Sequence, residues 1–264
     1  MVKIIGEHNL DSNVSSDPFP GWFDKLWERH TKELSFQEIR KAVQALSRAY
    51  VETRGKHVAS TLGSTGKRAG FALFYGPLHF LLLQNICREL NISKHTFNRI
   101  IDLGCGTGVS GAAWALETRN QPEIVGIDQN SWAVQEARWT YRALGLQGKT
   151  RSEDLNRVRM PGIGTGIVSA FTANELGAED REKLKRTLLG AASRGTAILV
   201  IEPIARRLTP WWKDWAQTFL KAGGRADDWR FEAALPEQLK LMDRAAGLNH
   251  RELTGRSLWL SGNS

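Results

Sequence analysis

A chain of 264 residues, 41% of them hydrophobic, can bury a full core, enough for one α/β domain and an extension. Its 36 Lys and Arg outnumber 28 Asp and Glu, and the net charge of +8 suits a polyanionic partner such as RNA or, more simply, a solubilising surface. Two cysteines, Cys87 and Cys105, exclude a disulfide framework and a CxxC metal site, so no metal or metal cluster is expected and the setting reads as a reducing cytoplasm.

The opening MVKIIGEHNLDSN lacks the apolar run of a signal peptide. In the first part of the chain, Ser35 and Glu38 form a capping box ahead of Ile39, Val43, Leu46 and Tyr50, which predicts an amphipathic helix from about residue 36. The stretch STLGSTGKR reads as a mobile loop ending on Lys67 and Arg68, which either hold an anionic substrate or solvate the loop. The next apolar segment, GKRAGFALFYGPLHFLLLQNICREL, is too long for a strand, and Pro77 should break or bend its helix after Tyr75. Its most apolar part, FALFYGPLHFLLL, is too short and interrupted to span a bilayer, so a soluble protein without a membrane partner is expected. The Gly76-Pro77 bend should turn the rings of Tyr75 and His79 inward, as candidate substrate contacts.

Near residue 97 the texture changes from helical periodicity to alternating strand and helix signals, so residues 1–97 are expected to form a helical cap and residues 98–264 a second domain. Strands are predicted at NRIIDL, EIVGID, KTRSE, GIVSAF and TAILVIE, with helices between them. Two further helices, near 210–222 and 236–246, lead to HREL and SLWLS, which Thr254, Gly255 and Arg256 would join as a terminal hairpin. The expected fold is α/β, a doubly wound, mostly parallel seven-stranded Rossmann-like sheet.

The first of these strands feeds the turn IIDLGCGTG, where Gly104, Gly106 and Gly108 allow a tight bend and close approach of a nucleotide-like ligand. A dinucleotide fingerprint would need glycine at Val109, and Asp102 would face the cation of S-adenosylmethionine more comfortably than a pyrophosphate. Asp128 ends the second strand where a carboxylate can accept ribose hydroxyls, and Asp154 with the Leu155 N–H could receive an adenine ring.

With these stations the chain resembles the class I S-adenosylmethionine-dependent methyltransferases over residues 98–202. The resemblance implies S-adenosylmethionine as cofactor, with Cys105, Gln129 and Phe171 beside the stations named above. AFTANELG and ILVIEP resemble, more narrowly, the methyltransferase-like proteins of the small ribosomal subunit. That likeness implies Asn174 and Glu175 at the methyl face, as candidate catalytic residues, with Glu202 and Pro203 at the sheet rim. The downstream cysteines that hold an iron–sulfur cluster in many of its members are absent here.

A cytosine-C5 mechanism needs a cysteine after the fourth or fifth strand, and none is present. The adenine-N6 motif is replaced by Thr172-Ala173-Asn174-Glu175, which leaves transfer to an N or O acceptor, with ribosomal RNA as the candidate substrate. The alternative is a non-catalytic RNA-binding or ribosome-assembly protein on the same fold. Trp211, Trp212 and Trp215, interleaved with Arg206, Arg207 and Lys213, read as core packing before they read as an RNA-stacking surface. Arg138, Arg142, Lys149, Arg151, Arg157 and Arg159 are too widely spaced in sequence to define a groove.

Overall fold

The structure, a computed structural model, describes residues 17–52, 62–159 and 162–262. Ser60 and Thr61 of the expected loop and the Tyr50 side chain lie outside the described residues. Helices α1 (Phe19–Thr31), α2 (Phe36–Glu52) and α3 (Thr65–Glu89) precede the sheet. The capping box starts α2 as expected: the Ser35 N–H donates to Glu38 Oε2 at 2.8 Å, and the Glu38 N–H donates to Ser35 Oγ at 3.3 Å.

Helix α3 departs from expectation at both its start and its middle. Ser64 Oγ accepts the Lys67 N–H at 3.3 Å, so Lys67 and Arg68 lie in a capped first turn and not on a loop. Pro77 does not break the helix. A π-turn over Phe71–Tyr75, in which the Gly76 N–H donates to Phe71 O, widens the backbone just ahead of the proline, so the missing N–H and the ring are absorbed. The uninterrupted helix of 25 residues is long and apolar enough to cross a membrane, but 72% of its most apolar stretch is buried within the protein, which makes it a core helix.

Seven strands of the described residues form one sheet in the order β3-β2-β1-β4-β5-β7-β6. They are β1 (Arg99–Leu103), β2 (Glu123–Asp128), β3 (Gly148–Ser152), β4 (Thr165–Ala170), β5 (Ala197–Glu202), β6 (Arg225–Glu232) and β7 (Glu252–Leu260). Strands β1 to β5 are parallel, with Ile101 opposite both Val125 and Ile167, while β7 runs antiparallel to β5 and β6 antiparallel to β7. Helices α4 (Val109–Leu116), α5 (Ser131–Ala143) and α6 (Ala178–Ala192) make the crossovers, and α7 (Trp212–Lys221) and α8 (Glu237–Ala245) flank β6 in the chain. This is the doubly wound sheet expected, and its direction of winding reverses between β1 and β4.

Successive strand residues face opposite layers, which is why the strands read as continuous apolar runs. Ile100, Leu199 and Ile201 join one buried cluster with Phe23, Val43, Phe80, Trp114 and Tyr141 of the first five helices. Ile101, Ile198 and Val200 join the other, with Leu188, Trp215 and Phe219. Trp212 and Trp215 are buried there, as packing requires, and Arg181 lies 5.3 Å over the Trp211 ring.

The terminal hairpin is not the one expected. Thr254, Gly255 and Arg256 lie inside β7, whose partner is β6, a strand too polar to be legible in sequence. A Cβ on Gly255 would approach Leu82 Cδ2 of α3 at 3.0 Å, so this glycine marks a close helix–sheet contact and not a turn.

Candidate cofactor site

A cleft of about 590 Å³ opens at the carboxyl ends of the central strands, on the switch point. Its floor is the glycine turn after β1. Gly104 holds φ +68°, and a Cβ there would meet Thr172 Oγ1 at 2.4 Å, a distance no side chain tolerates. Thr172 Oγ1 lies 3.1 Å from both Leu103 O and Ala170 O, tying the turn to the end of β4. The Gly106 N–H donates to Asp128 Oδ2 at 3.0 Å and the Asn130 N–H to Oδ1 at 2.8 Å, which aims the Asp128 carboxylate along the rim. Burial raises the Asp128 pKa, against those same N–H bonds. Asn130 in turn caps α5, its Oδ1 accepting from the Trp132 and Ala133 N–H groups.

Of the residues singled out in sequence, Gly104, Cys105, Gly106, Asp128, Gln129, Asp154, Leu155, Phe171, Glu175 and His79 line the cleft. Asp154 Oδ1 accepts the Asn156 N–H at 2.9 Å, and Asn156 Nδ2 donates to Asp180 on α6, so this wall of the cleft is braced. Phe171 sits at φ +57°, unusual for a bulky residue, with its N–H donating to Ile201 O at 2.8 Å and its ring stacked on His79, centroids 4.0 Å apart. Burial pushes the His79 pKa down to about 4, so the imidazole is neutral at pH 7, and it makes no hydrogen bond among the described residues.

Other expected site residues lie elsewhere. Asp102 does not face the cleft: it is fully buried behind the turn, and its Oδ2 accepts the Gly111 N–H at 2.7 Å. Gly108 lies at the start of α4, against Ala137 and Tyr141. Asn174 is buried below the rim, with its N–H donating to Glu202 Oε1 at 3.3 Å. Glu202 is itself fully buried, accepts the Ala173 N–H at 2.9 Å, and has its pKa raised well above the ordinary range by burial, so it braces the loop that carries Phe171 and Glu175. Tyr75 turns toward α2, where it hydrogen-bonds Ser47, while only its neighbour His79 reaches the cleft. Lys67 does not line the cleft, and Arg68 acts one step behind it, its Nε donating to the carbonyl of the lining residue Leu62 at 2.9 Å.

Sequence reasoning missed Thr107, Ser110, Phe71 and Leu62. Thr107 Oγ1 is buried without a partner among the described residues, and with the N-terminus of α4 beside it this end of the cleft suits a ligand carboxylate. Four acidic residues, Asp128, Asp154, Glu175 and Asp180, line the cleft, and none of the lining residues described is Lys or Arg. Such a wall favours a cationic nucleoside and disfavours a pyrophosphate. The residues present therefore fit S-adenosylmethionine.

A family profile described as "Methyltransferase small domain" matches residues 81–174, from α3 to the loop after β4. The match spans about a third of the chain, the part that carries the glycine turn and Asp128, and makes that part similar to small-domain methyltransferases. Over 45 residues, 17% of the chain, it is 49% identical to the "Ribosomal RNA large subunit methyltransferase G" of Streptomyces avermitilis, of which the match covers 12%. The plantazolicin methyltransferase BpumL, solved in complex with SAH, shares the fold at 12% identity with a TM-score of 0.51, over 90% of this chain and 99% of that one. The mitomycin 7-O-methyltransferase MmcR does so at 12% identity and a TM-score of 0.50, over 94% and 74% of the two chains.

Proposed function

We propose that this chain transfers a methyl group from S-adenosylmethionine to a nitrogen or oxygen acceptor on RNA. The observation that carries the reading is the acidic cleft on the glycine turn, closed on one side by the stacked His79–Phe171 pair. The sulfonium supplies an activated methyl group, and the protein's work is to align the acceptor, exclude water and hold a proton. Asp128 receives ribose hydroxyls, and the Gly104–Gly106 backbone lets the ligand approach. His79, neutral and with free ring nitrogens among the described residues, accepts a hydrogen bond from the acceptor N–H or O–H. Two features support RNA over other acceptors: the +8 charge and the match to part of a ribosomal RNA methyltransferase.

The test has two stages. Calorimetry with S-adenosylhomocysteine should detect binding, and Asp128→Ala should weaken it by about 1.5 to 3 kcal/mol, the worth of hydrogen bonds to a charged acceptor. Methyl-labelled S-adenosylmethionine is then offered with RNA, total protein and small metabolites. Label in RNA supports the reading. Label confined to protein or metabolites refutes the acceptor, and label in none refutes catalysis and leaves an assembly protein that keeps the fold.

A further inference from the structure

Helix α1 packs against α5, and the two form a second, open concavity of about 540 Å³. Lys25 and Arg29 of α1 line it with Lys32, the C-cap of that helix, and Trp139 and Arg142 line it from α5. On α1 the three cations follow at i, i+4 and i+7, one face of the helix over about 10 Å. One carboxylate, Glu28, shares the lining, and it is engaged by Lys32 at 3.8 Å. Arg29 is held in place: Nη1 donates to the buried Glu136 at 2.5 Å, and the guanidinium sits 4.7 Å over the Trp139 ring.

The groove and the cleft have opposite electrostatics. Four acidic residues line the cleft with no Lys or Arg among the described lining, so it repels phosphate, whereas the groove presents four cations around an indole. A row of charges about 10 Å long exceeds one phosphate and matches an extended polyanion, and cations beside an aromatic face are how single-stranded nucleic acid is held. Both sites sit on α5: Asn130, its cap, lines the cleft, and Arg142, near its other end, lines the groove. Twelve residues of helix separate them by about 18 Å, some five stacked nucleotides.

We propose that the α1–α5 groove is a docking site for the sugar-phosphate backbone of single-stranded RNA, holding the strand at a distance from the acidic cleft that receives the acceptor nucleotide. The inference rests on the reading of RNA as the acceptor. Its test uses fluorescence anisotropy of a fluorescein-labelled single-stranded RNA of about twelve nucleotides, within the site sizes of such proteins. The full chain is compared with the Lys25→Gln/Lys32→Gln/Arg142→Gln variant, in which Arg29 is kept because it holds Glu136. The variant should bind the RNA at least about tenfold more weakly at low salt, with a salt slope shallower by about 2, since each lost contact to a single strand contributes about 0.7.

S-adenosylhomocysteine affinity should be unchanged, which shows the variant folded. If the triple variant loses it, Lys32→Gln alone, at a side chain 68% exposed, carries the test with a smaller effect in the same direction. Wild-type RNA affinity and slope in a folded variant overturn the groove and leave the RNA reading standing. No RNA binding by the unaltered chain overturns that reading and the groove together. Competition by polyglutamate equal to that by unlabelled RNA overturns the assignment to nucleic acid.

Discussion

Asp102→Asn distinguishes a buried structural carboxylate from one that touches the cofactor. Asp102 is fully buried, with Oδ2 bonded to the Gly111 N–H and Oδ1 without a partner among the described residues. Burial pushes its pKa from 3.8 up to about 7; the Gly111 bond opposes the shift and the charge on Asp128 adds to it. Between those two values the folded chain holds more protons than the unfolded one, so stability is fully present below about pH 4 and is lost as pH rises through about 7. A shift of about three units at 1.4 kcal/mol each sets a ceiling of about 4 kcal/mol.

Asparagine carries no charge at any pH and keeps an oxygen for the Gly111 N–H. The unfolding free energy of Asp102→Asn relative to the wild type should therefore rise by up to about 3 kcal/mol between about pH 4.5 and pH 8. Urea denaturation at a series of pH values reads this difference directly. Because Asp102 does not line the cleft, S-adenosylhomocysteine affinity should change by less than about 1 kcal/mol. A stability difference that stays flat with pH would refute the burial argument. A loss of affinity as large as that of Asp128→Ala would return Asp102 to the cofactor site.

Glu202→Leu removes the acceptor for the Ala173 and Asn174 N–H groups and should cost about 2 to 4 kcal/mol, whereas Glu202→Gln keeps an oxygen there and should cost under about 1 kcal/mol at neutral pH; equal losses in thermal denaturation would show that the amides do not depend on it. Gly104→Ala forces a Cβ onto Thr172 in a left-handed backbone and should cost at least about 2 kcal/mol and abolish S-adenosylhomocysteine binding in calorimetry, while an alanine variant that binds normally would contradict the close packing. Tyr75→Phe should lower stability by about 1 kcal/mol through the lost bond to Ser47 and leave turnover intact, and His79→Ala should do the reverse; the opposite split in a paired activity and melting assay would move Tyr75 into the cleft.

The parts of this protein legible in the sequence are those whose physics is local. An apolar strand running into Gly104-Cys105-Gly106 requires left-handed backbone at the glycines, and the carboxylate ending the next parallel strand must come up beside it, so Asp128 is placed by chain geometry alone. The capping box at Ser35 is equally local. Orientation across elements is another matter. Asp102 alternates away from the cleft and ends behind the turn, and Asn174 is drawn under the rim by Glu202 from another strand. Tyr75 and His79 remain neighbours on α3, ring centroids 6.2 Å apart, yet only His79 lines the cleft, a split that Gly76-Pro77 alone does not suggest. Strand β6 shows no apolar alternation because its pairing with β7 is what makes it a strand. The basic groove shows the limit most plainly: Lys25, Arg29 and Lys32 stand more than a hundred residues from Arg142 in the chain, and only the packing of α1 on α5 gathers them around Trp139. Charge in a sequence is a sum, whereas a binding surface depends on which charges the folded core leaves side by side.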